Sequence, residues 1–547
     1  MIRRATMLLA LGLAAPVAAD DPPPDSGVDQ RDVIAPGAVP DLAALGVELT
    51  PRAFATPSDS TRVELHGYLR IRQEALINLD LDRGLDPTGQ PLAPVPLAGG
   101  QVLDGGDLRA RTDLAIYPRG AGVAIKARFD ALDNLGWGAT PDVGTGRSPT
   151  PAASASQRGA PLVVKRVWGE VLTPLGILAA GRMGAHWGLG MSANGGDCEQ
   201  CDGGDTADRL ALVMPLAGHY LAVAYDLSSS GPFLQRPSGD RVVDLEPSDD
   251  VTTVTAAWMR AKSPAVRLRR AAAGLPTFEY GVFASHRWQA RDVPADYLPT
   301  GGASPGIDAR DLMVRGFSAT SLGGWARIQG PRLRVEVEAS YAHARVDQPS
   351  LVPGVFLDQA ATSDQFGLAF ESEAALGRQR VGLDAGVASG DDAPGFGAFP
   401  APGAPAAQPG QLDGAQADFP GDTTVDNFRF HPDYHVDRIL FRELIGTVTD
   451  AAYVRPHAQA VLADLGHARF VASVALIASW AMSPTSTPSG QRMLGIELDP
   501  SLRYESPAFR VTLDYAALAP GAAFDNPATG ATARAAQLVR LRLGFHY

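Results

Sequence analysis

The chain of 547 residues has only two cysteines, Cys198 and Cys201, and only three lysines, Lys126, Lys165 and Lys262. Two cysteines exclude a disulfide-stapled scaffold and fall short of the four ligands of a structural zinc site. Nearly every cation is arginine, a bias that a GC-rich genome explains more simply than special anion chemistry. Cations are also outnumbered, 47 against 60 acidic residues, which argues against a nucleic-acid partner. Beyond the N-terminus, no apolar run reaches the roughly 20 residues of a transmembrane helix. A membrane role for the mature chain would have to be carried by strands.

The N-terminus has the plan of a secretory signal. Met1-Ile2-Arg3-Arg4 precedes an apolar run from Met7 to Ala15, and small residues Val17-Ala18-Ala19 precede Asp20. Cleavage after Ala19 is expected, so 1–19 is read as a signal peptide. Its removal takes Arg3 and Arg4 and leaves 45 basic against 60 acidic residues, a net charge of −15. Residues 20–60, rich in Pro, Asp and Ala, read as a flexible periplasmic arm.

The last strand carries the strongest fold signal. Val539, Leu541, Leu543, Phe545 and Tyr547 share one face; Leu538, Arg540, Arg542, Gly544 and His546 share the other. Side chains alternate across a strand, so one face suits lipid and the other a wet interior. The same division recurs upstream. Val63, Leu65, Leu69 and Ile71 alternate with Glu64, His66, Arg70 and Arg72; Leu333, Val335 and Val337 alternate with Arg334, Glu336 and Glu338. The dry interior of a sandwich would not tolerate so many ionised groups.

The connections alternate too. Tight Gly/Pro turns, such as Thr173-Pro174-Leu175-Gly176 and Pro215-Leu216-Ala217-Gly218, separate long segments such as 80–106, 185–206 and 390–452. Only 263–276 is long for a turn. The expected fold is all-β: a single antiparallel transmembrane β-barrel over 61–547, of about eighteen strands with sixteen as the alternative. Its short turns would be periplasmic and its long loops extracellular. A barrel of this size is expected to enclose an aqueous space.

Candidate sites follow from the barrel. Arg70, Arg72, Arg109, Arg111, Lys126 and Arg128 fall on the inward faces of the first three strands, and closure would bring Arg540 and Arg542 beside them. Such a patch would select anionic or hydroxyl-rich solutes. The competing reading is a salt-bridge lattice with Glu64, Asp113 and Asp130. Cys198 and Cys201 are expected to form a disulfide in an oxidising compartment. Their loop also holds Asp197, Asp202, Asp205 and Asp208 among glycines, a hard-oxygen set that could suit Ca²⁺ as a cofactor, although the spacing is not that of an EF-hand. The plain alternative is a hydrophilic turn-rich loop. His431, Asp433, Tyr434 and His435 are expected to fold into the lumen or cap its mouth, where hydrogen bonding is a simpler role than metal chelation.

The blocks Gly181-Arg182-Met183, His186-Trp187-Gly188-Leu189-Gly190-Met191, Asn194-Gly195-Gly196-Asp197-Cys198 and Phe430-His431-Pro432-Asp433-Tyr434 resemble a family of uncharacterised outer-membrane barrels of myxobacterial type. That resemblance implies a fold and a location but no activity. Leu494 to Asp499, Leu502-Arg503-Tyr504 and the stretch from Tyr515 to Gly521 are similar to the end of alginate-export-type porins. Those are eighteen-stranded barrels with an arginine-rich lumen, which implies export of an acidic polysaccharide.

The reading that joins these features is a porin-like channel in outer-membrane lipid, passing or exporting small polar or anionic solutes, with saccharides as the expected class. The alternative is a non-conducting surface barrel that acts through its loops in structure or adhesion. An enzyme is not expected, since Ser192 in Gly190-Met191-Ser192-Ala193-Asn194 is no nucleophile elbow and has no evident third partner.

Overall fold

The structure is a computed structural model. It describes residues 60–547 apart from 86–100, 121, 138–161, 230–232, 236–241, 245–246, 293–312, 351–354, 401–403 and 409. The expected signal peptide and nearly all of the arm lie outside the described residues.

The first strands are β1 (Arg62–Ile77), β2 (Val102–Tyr117), β3 (Val123–Gly136), β4 (Leu162–Thr173), β5 (Gly176–Gly184), β6 (Thr206–Leu216) and β7 (His219–Ser229). A small hairpin follows, β8 (Phe233–Gln235) and β9 (Val242–Asp244), outside the main sheet. The wall resumes with β10 (Val251–Arg260), β11 (Thr277–Asp292), β12 (Met313–Gln329), β13 (Leu333–Val346), β14 (Ala361–Leu376) and β15 (Gln379–Ala388). It ends with β16 (Ala451–Asp464), β17 (Arg469–Ala481), β18 (Met493–Glu505), β19 (Phe509–Pro520) and β20 (Ala536–His546). Eighteen strands make one sheet, and each wall strand pairs antiparallel with the next. β20 closes on β1 in the register Arg72↔Arg542 and Glu74↔Arg540. The expected eighteen-strand barrel is the fold.

Alternation places the side chains as the pattern requires. Val539, Leu541 and Phe545 are exposed on the outer wall, whereas Arg540 and Arg542 are buried inside. Outward Val63, Leu65, Val123, Ile125, Leu498 and Leu502 continue the apolar exterior. Among the described residues, no helix is long and apolar enough to cross a membrane.

Short turns occupy one rim and long loops the other. Ala217 and Gly218, both at positive φ (51° and 77°), join β6 to β7 in the twist that a two-residue hairpin favours. The long connection 263–276 holds a helix, α1 (Pro264–Ala272), on the short-turn rim. Its signals were present in the sequence: Pro264 at the first turn, few β-branched residues, and Arg269 and Arg270 near the C-terminus.

The interior departs from the expected aqueous lumen. Residues 389–450 send Phe396, Phe430, Tyr434, Ile439, Leu440 and Phe441 inward against Tyr453, Ile477, Leu494, Leu518 and Leu538 of the wall, forming the largest apolar core. A second core gathers Trp187 and Met183 with inward Ala179, Ala211, Ala222, Ala224, Ala257 and Trp325. Alternation identifies which residues face inward; it does not identify which loop will cover them.

Candidate functional site

Two inward loops meet inside the barrel. The first, 185–205, spans from β5 to β6 and is fastened to distant walls. On one side Glu338 of β13 accepts the backbone N–H groups of Leu189 (2.8 Å), Met191 (3.2 Å) and Ser192 (3.0 Å), and the Ser192 hydroxyl at 2.6 Å. The backbone must come close. A Cβ on Gly188, at φ +51°, would lie 2.7 Å from Trp325 and 2.9 Å from the Glu338 carboxylate. Glycine is therefore required there. On the other side, Cys198 and Cys201 form the expected disulfide. The Glu199 carbonyl inside that short link accepts Arg70 Nη1 (3.0 Å) and Arg109 Nη2 (3.2 Å).

The aspartates of this loop are arginine partners. Asp197 bonds Arg128 and, at 3.0 Å, Arg166. Burial opposes its ionisation, but those two guanidiniums outweigh burial and hold it well below the usual carboxylate range. Asp202 meets Arg70 (3.2 Å), Arg72 (3.0 Å) and Arg442 (2.8 Å). Burial again opposes its charge, and Arg72, Arg70 and Arg442 hold it well below normal.

The second loop, 389–450, is locked to the first. Asp433 accepts the backbone N–H of Asp202 (2.6 Å) and of Gly203 (3.1 Å), while the His431 N–H donates to the Met191 carbonyl (2.7 Å). Burial and the charge of Asp202 raise the Asp433 pKa. His435 is driven well below its ordinary value by burial and then by Arg442, so its neutral Nε2 accepts Arg442 Nη1 at 3.1 Å. The loop is also tied to the wall. Tyr434 donates to Glu371 (3.0 Å), Arg438 to Asp514 (2.8 Å), and Glu443 accepts Arg540 (3.2 Å). Glu497 of β18 accepts the N–H groups of Arg438 (2.9 Å), Ile439 (2.9 Å) and Leu440 (3.0 Å), mirroring Glu338 beneath the first loop.

The eight cations read as a selective patch all line the inner wall, and each lies within ion-pair distance of a carboxylate. The pairs are Arg70–Asp107 (2.8 Å), Arg72–Asp107 (2.6 Å), Arg109–Asp133 (3.9 Å) and Arg111–Asp130 (2.7 Å). The others are Lys126–Glu170 (3.1 Å), Arg128–Asp113 (2.6 Å), Arg540–Glu74 (2.7 Å) and Arg542–Asp514 (2.7 Å). All eight are buried. His431, Asp433, Tyr434 and His435 lie inside the barrel between the two loops.

The four aspartates considered for Ca²⁺ do not converge on one point. Asp197 and Asp202 are spent on different arginines, Asp205 lies 3.5 Å from His431, and Asp208 pairs on the exposed outer side with Arg182 (2.7 Å). Among the described residues, no group of three or more side chains could hold a metal.

A small cavity, open to solvent, remains between the second loop and the wall. Its strand residues run from mid-strand to the short-turn ends of β14 and β16–β20. Ser473, Gln459, Ser501 and Thr512 give it hydroxyl and amide groups; Arg455, Arg503, Asp437 and Asp499 give it charge. Sequence reading missed this lining and the two loop-holding glutamates. The inward glutamates were legible by alternation, but their loop partners are about 150 and 60 residues away.

No protein-family model matches the chain, and no curated protein matches it. Neither the myxobacterial-type nor the alginate-type resemblance therefore gains a family match. Solved structures are similar over most of the length. OpdK of Pseudomonas aeruginosa with vanillate is 10% identical, with 88% of this chain and 98% of that chain covered at a TM-score of 0.42. A BenF-like porin from Pseudomonas fluorescens Pf-5 is 9% identical, covering 89% and 98% at 0.43. OccK9 (OpdG) of Pseudomonas aeruginosa is 12% identical, covering 89% and 98% at a TM-score of 0.44.

Proposed function

We propose that the protein is a solute channel of a bacterial outer membrane, with the two inward loops as its constriction. The observation that carries this reading is the combination of an apolar outer wall with a charged inner wall and a polar cavity entering from the short-turn end. Closed barrels satisfy every backbone group in lipid, and the alternation inside this one keeps polar groups away from it. Small polar solutes are the class that such a cavity suits. The eight inner-wall cations support anion selectivity only where they face the solute path. Their carboxylate partners favour a fastening role, so this reading leaves solute contact to the cavity lining. Saccharides fit its hydroxyl and amide groups.

The apolar core inside the lumen favours a second reading, a non-conducting surface barrel. Planar-bilayer recording separates the two. Discrete openings from the refolded protein, enlarged in a Glu338→Ala/Glu497→Ala variant that frees both loops, support the channel. A folded barrel that stays silent in both forms supports the surface role.

A further inference from the structure

The connection from β10 to β11 departs from the other turns of its rim in length, and from the rest of the chain in charge. From Arg260 to Pro276 it holds five cations, Arg260, Lys262, Arg267, Arg269 and Arg270, and no acidic residue, in a protein whose acidic residues outnumber its basic ones 60 to 47. A short basic helix with apolar residues on another side is a membrane-surface pattern. A merely solvated turn would account for the cations but not for Leu268 and Leu275, each 50% exposed.

One arginine fastens α1 to the barrel. Arg267 donates to the Lys262 carbonyl (2.7 Å) and to Glu279 (3.3 Å). Glu279 is buried on the inward face of β11, where it also accepts the Lys262 N–H and Arg327, so it does not reach the outer surface. Arg270 closes the helix C-terminus on the Pro276 carbonyl (2.8 Å), and both it and Arg269 stay exposed.

The adjoining wall carries a matching surface. Trp258 and Arg260 at the end of β10, and Phe278 and Tyr280 at the start of β11, share the outward face with exposed Val254 and Val282. His219 stacks on Trp258 (ring centroids 4.8 Å), and its Nε2 lies 2.7 Å from the Tyr280 hydroxyl. Aromatic rings with polar tips mark the depth at which hydrocarbon gives way to headgroups. Arg260 is exposed beside them, and no carboxylate pairs with it among the described residues. An outward guanidinium at that depth is matched by a phosphate, which it binds through its planar fork of donors.

We propose that α1 and the adjoining ends of β10 and β11 dock anionic phospholipid headgroups of the leaflet at the short-turn rim. Arg260, Arg269 and Arg270 meet the phosphates, and Leu268 and Leu275 enter the acyl boundary beside Phe278. Charge complementarity selects this occupant, since the surface offers cations and apolar area and no anion. The inference rests on the outer-membrane placement of the barrel and not on conduction.

Native mass spectrometry of the refolded barrel in a neutral detergent tests it, with cardiolipin and phosphatidylglycerol against phosphatidylcholine. The anionic lipids are expected to be retained about tenfold more strongly, by a margin that shrinks at high salt. Arg260→Gln/Arg269→Gln/Arg270→Gln should erase the margin, and Arg182→Gln/Arg345→Gln, at the opposite rim, should keep it. An environment-sensitive dye on Leu268→Cys, in a chain that retains every arginine, should shift to the blue in phosphatidylglycerol vesicles relative to phosphatidylcholine vesicles. Equal retention of all three lipids, a margin that survives the triple variant, or a dye that reports water in both vesicles would each overturn the docking surface. The last result would leave α1 to water or to a periplasmic protein. Bilayer recording on the same preparation keeps the two readings apart. A silent barrel that retains the lipid preference sinks the channel alone, and a conducting barrel without it sinks the docking surface alone.

Discussion

Glu338 and Ser192, 146 residues apart, are joined twice: the Ser192 N–H meets Oε1 at 3.0 Å and its hydroxyl meets the same oxygen at 2.6 Å. With the Leu189 and Met191 amides on the other oxygen, one wall carboxylate satisfies three backbone donors of a loop that has no ladder of its own. Glu338→Ala should strand those donors, at about 1–3 kcal/mol for the lost buried acceptor. Amide exchange at 189–192 should accelerate, and any channel current should grow and become noisier. Unchanged exchange in the variant would show that the loop is held by its arginine contacts instead.

Asp202 and Asp208 stand six residues apart and should respond very differently to replacement by alanine. Asp202 is shared by buried Arg70, Arg72 and Arg442, so its loss leaves three guanidiniums short of a counter-charge. Breaking a buried ion pair costs about 3–5 kcal/mol. Asp208 and Arg182 are each about half exposed, and such a pair contributes about 1 kcal/mol at most. Denaturant midpoints of Asp202→Ala and Asp208→Ala in one detergent would check the ranking. Equal losses would contradict it.

The wall was legible in the sequence because a strand's period of two leaves little choice. Once Val539 and Leu541 face lipid, Arg540 and Arg542 must face inward, and closure pairs that strand with the first, where the structure sets Arg542 opposite Arg72. The long-and-short alternation then fixed which rim carries which connections. The interior was not legible in the same way. Nothing in the local pattern around Phe428-Arg429-Phe430 shows that it packs on Tyr453 and Leu494, since contacts over such separations depend on where the loop lands. The cations show the same limit. Alternation placed Arg70 and Arg72 inside, but whether they would meet water or Asp107 and Asp202 was a question of tertiary contact. The helix in 263–276 is a different failure, a local signal read only as an over-long turn.

The outer wall can be tested one residue at a time. Leu541 is 41% exposed between buried Arg540 and Arg542. Arginine on the lipid face near the bilayer midplane costs about 2–4 kcal/mol, whereas a lumen position carries no such penalty. Leu541→Arg should lower the unfolding free energy in lipid vesicles by that amount and have a much smaller effect in detergent, whose interior deforms around the charge. A loss of similar size in both media would mean that Leu541 is held by protein contacts rather than by lipid.

Asp437 gives the second loop a pH dependence whose sign can be worked out. Burial pushes its carboxyl up from 3.8 to about 7; the Phe441 and Arg442 amides oppose the shift, the charge of Asp499 adds to it, and Arg455 draws it down. Between about pH 4 and about pH 7 the folded loop therefore holds a proton that the unfolded chain has released. The folded state binds more protons in that window, so its stability falls as pH rises. The contribution is fully present below about pH 4 and gone above about pH 7. Because Glu497 and Asp499 share the site, the three groups should titrate as a unit rather than as one isolated acid. Exchange of the Phe441 and Arg442 amides should be slowest at the acid end after correction for intrinsic rates, and should quicken toward neutrality. In Asp437→Asn the slope should flatten, because the group that carries the proton is gone. A slope that persists unchanged in that variant would assign the proton to Glu497 or Asp499, and a slope of opposite sign would mean that loosening of the loop is driven by protonation of groups that hold it closed as anions, Asp202 foremost.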